Sequence, residues 1–189
     1  NEIPLSPAFA DLNRDGYIDF FLPVIARGNV GNLYGLKVTP NTVRPRLYIN
    51  NGDDSFTDIT ASVGLRFDSG VIEAVFSDLD GDGLEDLVVL GSDGSLSTWR
   101  NRGNLLFENK HHPFSLDRGD YFAMTLGDYN NDSRIDLLLT NRGTTIPDQL
   151  AHLFSMYRPP RKGEWRLLKN IGSFSFHDET SKVQLDGLQ

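Results

Sequence analysis

Residues 78 to 86 read DLDGDGLED. Asp78, Asp80, Asp82 and Asp86 stand at positions 1, 3, 5 and 9 of this stretch, and Gly83 stands at position 6. Carboxylates on every second residue of a tight loop converge on one point. Converging carboxylates repel unless a hard cation lies between them, and an all-oxygen donor set of this kind suits Ca²⁺. Gly83 permits the positive φ that wraps a loop round an ion. The carbonyl at position 7, that of Leu84, would add another oxygen. Two further stretches repeat the spacing. Residues 11 to 19, DLNRDGYID, place Asp11, Asn13, Asp15 and Asp19 as side-chain ligands, Gly16 at position 6 and the Tyr17 carbonyl at position 7. Residues 128 to 136, DYNNDSRID, place Asp128, Asn130, Asp132 and Asp136 likewise, with the Arg134 carbonyl and with Ser133 where the glycine would be. The chain is therefore expected to bind up to three Ca²⁺. Counting carboxylates and glycines ranks the second loop first, the first loop next and the third loop last.

These loops are not EF-hands, which require a bidentate Glu at position 12 and helices on both sides. Position 12 holds Leu22, Val89 and Leu139. Solvated Asp/Gly turns would explain one such loop, but not three in the same strand context. Paired carboxylates also raise a glycosidase reading, yet each cluster accounts for its own acids as ligands. Other motifs carry little. Arg118, Gly119 and Asp120 spell RGD but align with the Ser69/Gly70 turn that opens the second repeat. His111 and His112 are neighbours, and His152 and His177 are isolated, so no zinc spacing appears. The sequon at Asn131 lies inside a metal loop.

The elements that position these loops are short strands. PLSPAFA, VIEAVFS and YFAMTLG lead into the loops, and DFFLPV, DLVVL and DLLLT leave them as apolar runs suited to strands buried on both faces. A third strand (RLYIN, LSTWRN, WRLLKN) and a fourth (SFTDIT, LLFEN, FSFHDET) follow, joined by Asn/Gly turns at Asn51–Gly52, Asn101–Gly103 and Asn170–Gly172. Four-stranded units repeating at this length indicate an all-β chain of β-propeller blades, here three, at about 3–60, 71–110 and 120–180. Propellers close with about four to eight blades, so the chain is expected to be a segment of a larger propeller. Residues 181–189 read as a linker toward a further blade, because Thr180 to Leu185 parallel Thr60 to Leu65. In such a meander the acidic loops and the Asn/Gly turns share one end. The opposite end carries a long connection in the first and third blades; the latter holds Leu150, Leu153, Phe154 and Tyr157 at helical spacing.

Bulk properties agree with a folded, metal-loaded domain. The 189 residues are 39% hydrophobic and 11% aromatic, which is globular composition. A net charge of −8 disfavours nucleic acid and anionic membrane surfaces, and three Ca²⁺ would leave it near −2. There is no cysteine, hence no disulfide and no thiol chemistry. No apolar run is long enough to span a membrane as a helix.

The three acidic loops, together with LYINNGDDSFTDITASVGL from Leu47 to Leu65, resemble the FG-GAP/VCBS repeats of integrin α-subunits and bacterial extracellular proteins. The resemblance covers nearly the whole chain outside the two long loops. It implies calcium ligation by the side chains named above, an extracellular, periplasmic or cell-surface location, and a non-catalytic module that binds protein or glycan ligands alongside further blades. The alternative it leaves open is a propeller belonging to a carbohydrate-active enzyme.

Overall fold

The computed structural model describes residues 2–26, 44–67, 69–92, 94–110, 121–141 and 165–183. The two long connections, the RGD tripeptide, His111, His112, His152 and the expected helix around Leu150 to Tyr157 lie outside these residues. The described residues form strands, in three four-stranded antiparallel sheets and one two-stranded sheet. Blade 1 comprises β2 (Ala8–Ala10), β3 (Asp19–Leu22), β5 (Arg46–Asn50) and β6 (Phe56–Asp58). Blade 2 comprises β7 (Val71–Ser77), β8 (Asp86–Gly91), β9 (Leu96–Asn101) and β10 (Phe107–Lys110). Blade 3 comprises β11 (Tyr121–Gly127), β12 (Asp136–Asn141), β13 (Arg166–Gly172) and β14 (Ser175–Asp178). Each sheet is a simple meander, as in propeller blades, and β7 touches both β2 and β11 so that the first strands sit side by side.

Two proline effects depart from the expected strands. The first stretch, PLSPAFA, is not one strand: it yields only β2 after Pro7, while β1 (Glu2–Pro4) pairs separately with β4 (Val24–Ala26). The run DFFLPV is likewise divided by Pro23 into β3 and β4. Proline has no N–H to continue a ladder. The carbonyl of Pro23 instead accepts the Leu5 N–H at 2.9 Å.

The alternation of side chains assigns every blade a front and a rear face. β8 is buried along its whole length. Leu87 and Val89 point one way and pack with Ala8, Phe21 and Leu47 of blade 1. Val88 and Leu90 point the other way and pack with Met124, Leu137, Leu139 and Leu168 of blade 3. Trp99 and Phe107 complete the first of these cores, and Phe174 and Phe176 the second. Each interblade core thus joins the rear of one blade to the front of the next. The linker after blade 1 adds to this contact: Phe107 N–H donates to the Val63 carbonyl at 2.9 Å. Gly64, at φ 83°, lies so close that a Cβ would come within 2.8 Å of the Phe107 carbonyl oxygen.

Candidate metal centres

The three acidic loops share one backbone shape, held by their own acids. At position 1, Asp11 accepts the Asp15 and Gly16 N–H groups at 3.1 and 3.0 Å. Asp78 accepts those of Asp82 and Gly83 at 3.2 and 2.8 Å, and Asp128 those of Asp132 and Ser133 at 3.0 and 2.8 Å. Positions 3 and 5 each cap the residue two further on. Asn13, Asp80 and Asn130 accept from Asp15, Asp82 and Asp132 at 3.1, 3.3 and 2.9 Å. Asp15, Asp82 and Asp132 accept from Tyr17, Leu84 and Arg134 at 2.8, 2.9 and 3.1 Å. These are successive Asx turns, which is why Asp and Asn recur at alternate positions.

Position 6 is left-handed as expected, with φ of 88° at Gly16, 81° at Gly83 and 65° at Ser133. Position 4 is left-handed as well, with φ of 61° at Arg14, 78° at Gly81 and 58° at Asn131. Sequence reasoning missed this second kink, because Arg, Gly and Asn share no obvious type. Ser133 therefore occupies the strained conformation without changing the loop's course.

Position 9 does a different job from the others. Asp19, Asp86 and Asp136 are buried at the mouths of β3, β8 and β12. One carboxylate oxygen of each accepts the N–H of position 2: Leu12 at 2.9 Å, Leu79 at 2.9 Å and Tyr129 at 3.2 Å. The other accepts the N–H of the last asparagine of the third strand, from Asn50 at 2.9 Å, Asn101 at 2.8 Å and Asn170 at 2.8 Å. The asparagine side chains complete the clamp. Their Nδ2 atoms donate to the position 8 carbonyls of Ile18, Glu85 and Ile135 at 3.3, 3.2 and 3.1 Å. Their Oδ1 atoms accept from Gly52, Gly103 and Gly172 at 3.0, 2.9 and 2.8 Å. The acidic loop and the Asn/Gly turn of each blade are thus tied together at one end. In the sequence Asn101 and Asn170 were legible only as turn residues and Asn50 only as a strand end; their recurrence at the end of RLYIN, STWRN and RLLKN was the available signal.

Asp78, Asp80 and Asp86 of the second loop bring carboxylate oxygens within 4.8 Å of one another. Asp86 is buried, and the other two are half-buried. Burial pushes the Asp86 pKa up to about 7; the N–H groups of Leu79 and Asn101 pull it down, and Asp80 and Asp82 raise it further. Burial also raises Asp19, against the Asn50 and Leu12 N–H groups. An oxygen-only donor set around a buried acid that is poorly stabilised as an anion fits a hard divalent cation. Asp82 lies outside this close group. Its Oδ2 is 3.0 Å from Arg100 Nη2, and Asp80 Oδ2 is 2.8 Å from Arg100 Nε. Burial raises Asp82, but the Leu84 N–H and Arg100 together hold it below its ordinary value. In the third loop Asp132 takes the same role, 3.0 Å from Lys169 Nζ and 2.9 Å from Arg134 Nη2. Lys169 foremost, with Arg134, keeps its carboxyl low. Arg100 and Lys169 occupy matching places in β9 and β13, one residue before the clamp asparagine, where β5 has Ile49. In the first loop Arg14 reaches across to the Gly83 carbonyl of the second.

An FG-GAP-like repeat family matches the chain twice, over residues 34–89 and 78–139, together more than half of its 189 residues. No curated protein matches the chain in sequence.

Proposed function

The chain belongs to the FG-GAP-like repeat family, and on that premise we propose that it is a non-catalytic, calcium-stabilised propeller segment presenting a surface for protein or glycan ligands outside the cell. The observation that carries this reading is the Asp78/Asp80/Asp86 group, set in a loop shape that the chain builds three times. Calcium would be held by Asp78, Asp80 and Asp86, with the corresponding Asp and Asn residues of the other loops as further candidates. Bound there, it supplies the positive charge that lets adjacent acids stay ionised in a half-buried site. The loop acids accept backbone N–H groups of their own loops, a posture that builds a cation cradle rather than a proton-transfer pair. Extracellular calcium modules bind with dissociation constants of about 10⁻⁴–10⁻³ M, and binding in that range is expected here.

The test is calorimetric titration of chelator-treated protein with calcium, alongside thermal unfolding. Binding in that range is expected, together with a rise in the melting midpoint, since a ligand selective for the native state stabilises it. A melting midpoint unchanged at about 10 mM calcium would overturn the reading, because that concentration lies well above the expected dissociation constants.

A further inference from the structure

The three acidic loops share a backbone course but not a charge. In the first loop, Asp15 Oδ2 accepts the neutral Asn13 Nδ2 at 2.7 Å, and Arg14 turns away to the Gly83 carbonyl of the second. The first loop thus keeps the three charges of Asp11, Asp15 and Asp19. In the second loop, Asp78, Asp80, Asp82, Glu85 and Asp86 face Arg100 and the incoming Arg14, which leaves three formal negative charges. In the third loop position 3 is the neutral Asn130, and Asp132 carries two cations on one oxygen: Lys169 Nζ lies 3.0 Å and Arg134 Nη2 2.9 Å from its Oδ2. Asp128, Asp132 and Asp136 against these two cations leave one formal negative charge.

Both cations are held in place by the clamp of blade 3. Lys169 stands next to Asn170, whose N–H binds Asp136 at 2.8 Å, so the strand end that fixes the loop also delivers the ammonium to it. Ile49, at the matching place in β5, gives the first loop no such charge. Arg134 Nε donates to the Asn170 carbonyl at 2.9 Å. The second oxygen of Asp132, Oδ1, accepts the Arg134 N–H at 3.1 Å, so both oxygens are engaged. A lysine ammonium is a compact point charge with three donors, and it screens converging acids as a bound ion would. Calcium entering here would have to displace Lys169 or lie beside a like charge a few ångströms away. It would also meet an amide at position 3 in place of a carboxylate, and affinity in such loops follows ligand charge.

We propose that the third loop is not a calcium site: Lys169, with Arg134 beside it, supplies the positive charge there and keeps calcium out. The proposal deepens the calcium reading and rests on it for the other loops. Calcium is needed where the chain brings acids together without enough charge of its own, and the third loop holds its shape without it. Lys169 is then a residue that decides which repeats are metal-dependent, and it acts from a strand rather than from the loop motif.

The test is a calcium titration of the full chain followed by amide NMR, in which the position 6 N–H groups of Gly83 and Ser133 report their own loops. In the wild type, Gly83 should saturate with a midpoint of about 10⁻⁴–10⁻³ M, and Ser133 should show no transition of its own below about 10 mM. Lys169→Met/Arg134→Gln should open a separate Ser133 transition and bring its midpoint down at least about tenfold. Lys169→Met alone should do so in part, and serves if the double variant does not fold. Lys169→Arg keeps the charge and should behave as the wild type. A separate Ser133 transition in the wild type overturns the proposal, as does its absence from the folded Lys169→Met variants. A site opened equally by Lys169→Arg also overturns it, since charge would not be what excludes calcium. Silence at Gly83 would sink the calcium reading of the second loop, whatever Ser133 shows.

Discussion

Asp86 lies buried between two strands and a loop, where its pKa is raised to about 7 by that burial. In the unfolded chain the same group titrates near 3.8. Between these values the native state holds a proton that the unfolded state has released, so stability falls as pH rises from about 4 to about 7. Chelated protein should therefore melt higher near pH 5 than near pH 7.5, and calcium should raise the midpoint most at the higher pH, where it replaces the lost proton. Thermal scans at both values, with and without chelator, check this; equal midpoints in chelator would remove Asp86 from the account. Arg100 bears on the expected ranking of the loops. It rests on Asp80 and Asp82, so the loop richest in carboxylates is also partly neutralised from within. Arg100→Gln should tighten calcium binding at this loop by up to about fivefold, the scale of a partly exposed ion pair. A weaker site in calorimetry would mean that Arg100 orients the acids instead. Ser133 sits at φ 65°, where a glycine has no Cβ to strain, so Ser133→Gly should stabilise the chain by about 1 kcal/mol. A lower melting midpoint would contradict the strain argument. Positions 1, 3, 5, 6 and 9 were legible because chemistry restricts their residue types. Arg100 was not, since a cation two strands away in sequence gives no sign of which acid it will meet.

At the scale of the strand and its turn, the asparagine clamp is the main new feature. Asn170 spans the most: its Nδ2 donates to the Leu79 carbonyl of the neighbouring blade at 2.9 Å as well as to that of Ile135, while its Oδ1 accepts the Gly172 N–H. Asn170→Ala would strip partners from several buried groups, at roughly 1 to 3 kcal/mol each before relaxation. A net loss of about 2 to 4 kcal/mol is expected by urea denaturation, with Asn50→Ala, in a more open blade, costing less. A loss at Asn170 no larger than at Asn50 would show that the bond between blades contributes nothing. The strands themselves were legible from period and apolar runs, as at DLVVL. Their ends were less so. Ser173 and Phe174 make the β13–β14 turn with φ of 52° and 59°, and Asn104 and Leu105 do likewise before β10. Turns with two consecutive positive φ values favour Asn and Gly, so a Phe or Leu there reads naturally as strand. Tertiary burial of Phe174 in the core between blades 2 and 3 overrides that preference.

Across the whole molecule, front and rear faces alternate along each strand, and the sequence shows both as apolar. It could not show which face lacks a neighbour, because exposure depends on how many blades are stacked and not on residue type. Phe20 and Phe21 illustrate the point: adjacent, identical, and pointing opposite ways. Phe21→Ala empties the core between blades 1 and 2 and should cost about 3 to 5 kcal/mol. Phe20→Ala, on the more open front of blade 1, should cost clearly less. Equal costs, measured by urea denaturation, would mean that the front of blade 1 is covered after all. The clamp has a consequence for how such a chain could have arisen. Asp19, Asp86 and Asp136 each rely on an asparagine from the third strand of their own blade. A duplicated segment of DNA that stopped between the second and third strands would encode a buried acid stripped of a donor, so only copies carrying the span from loop through third strand would survive as heritable additions to the array.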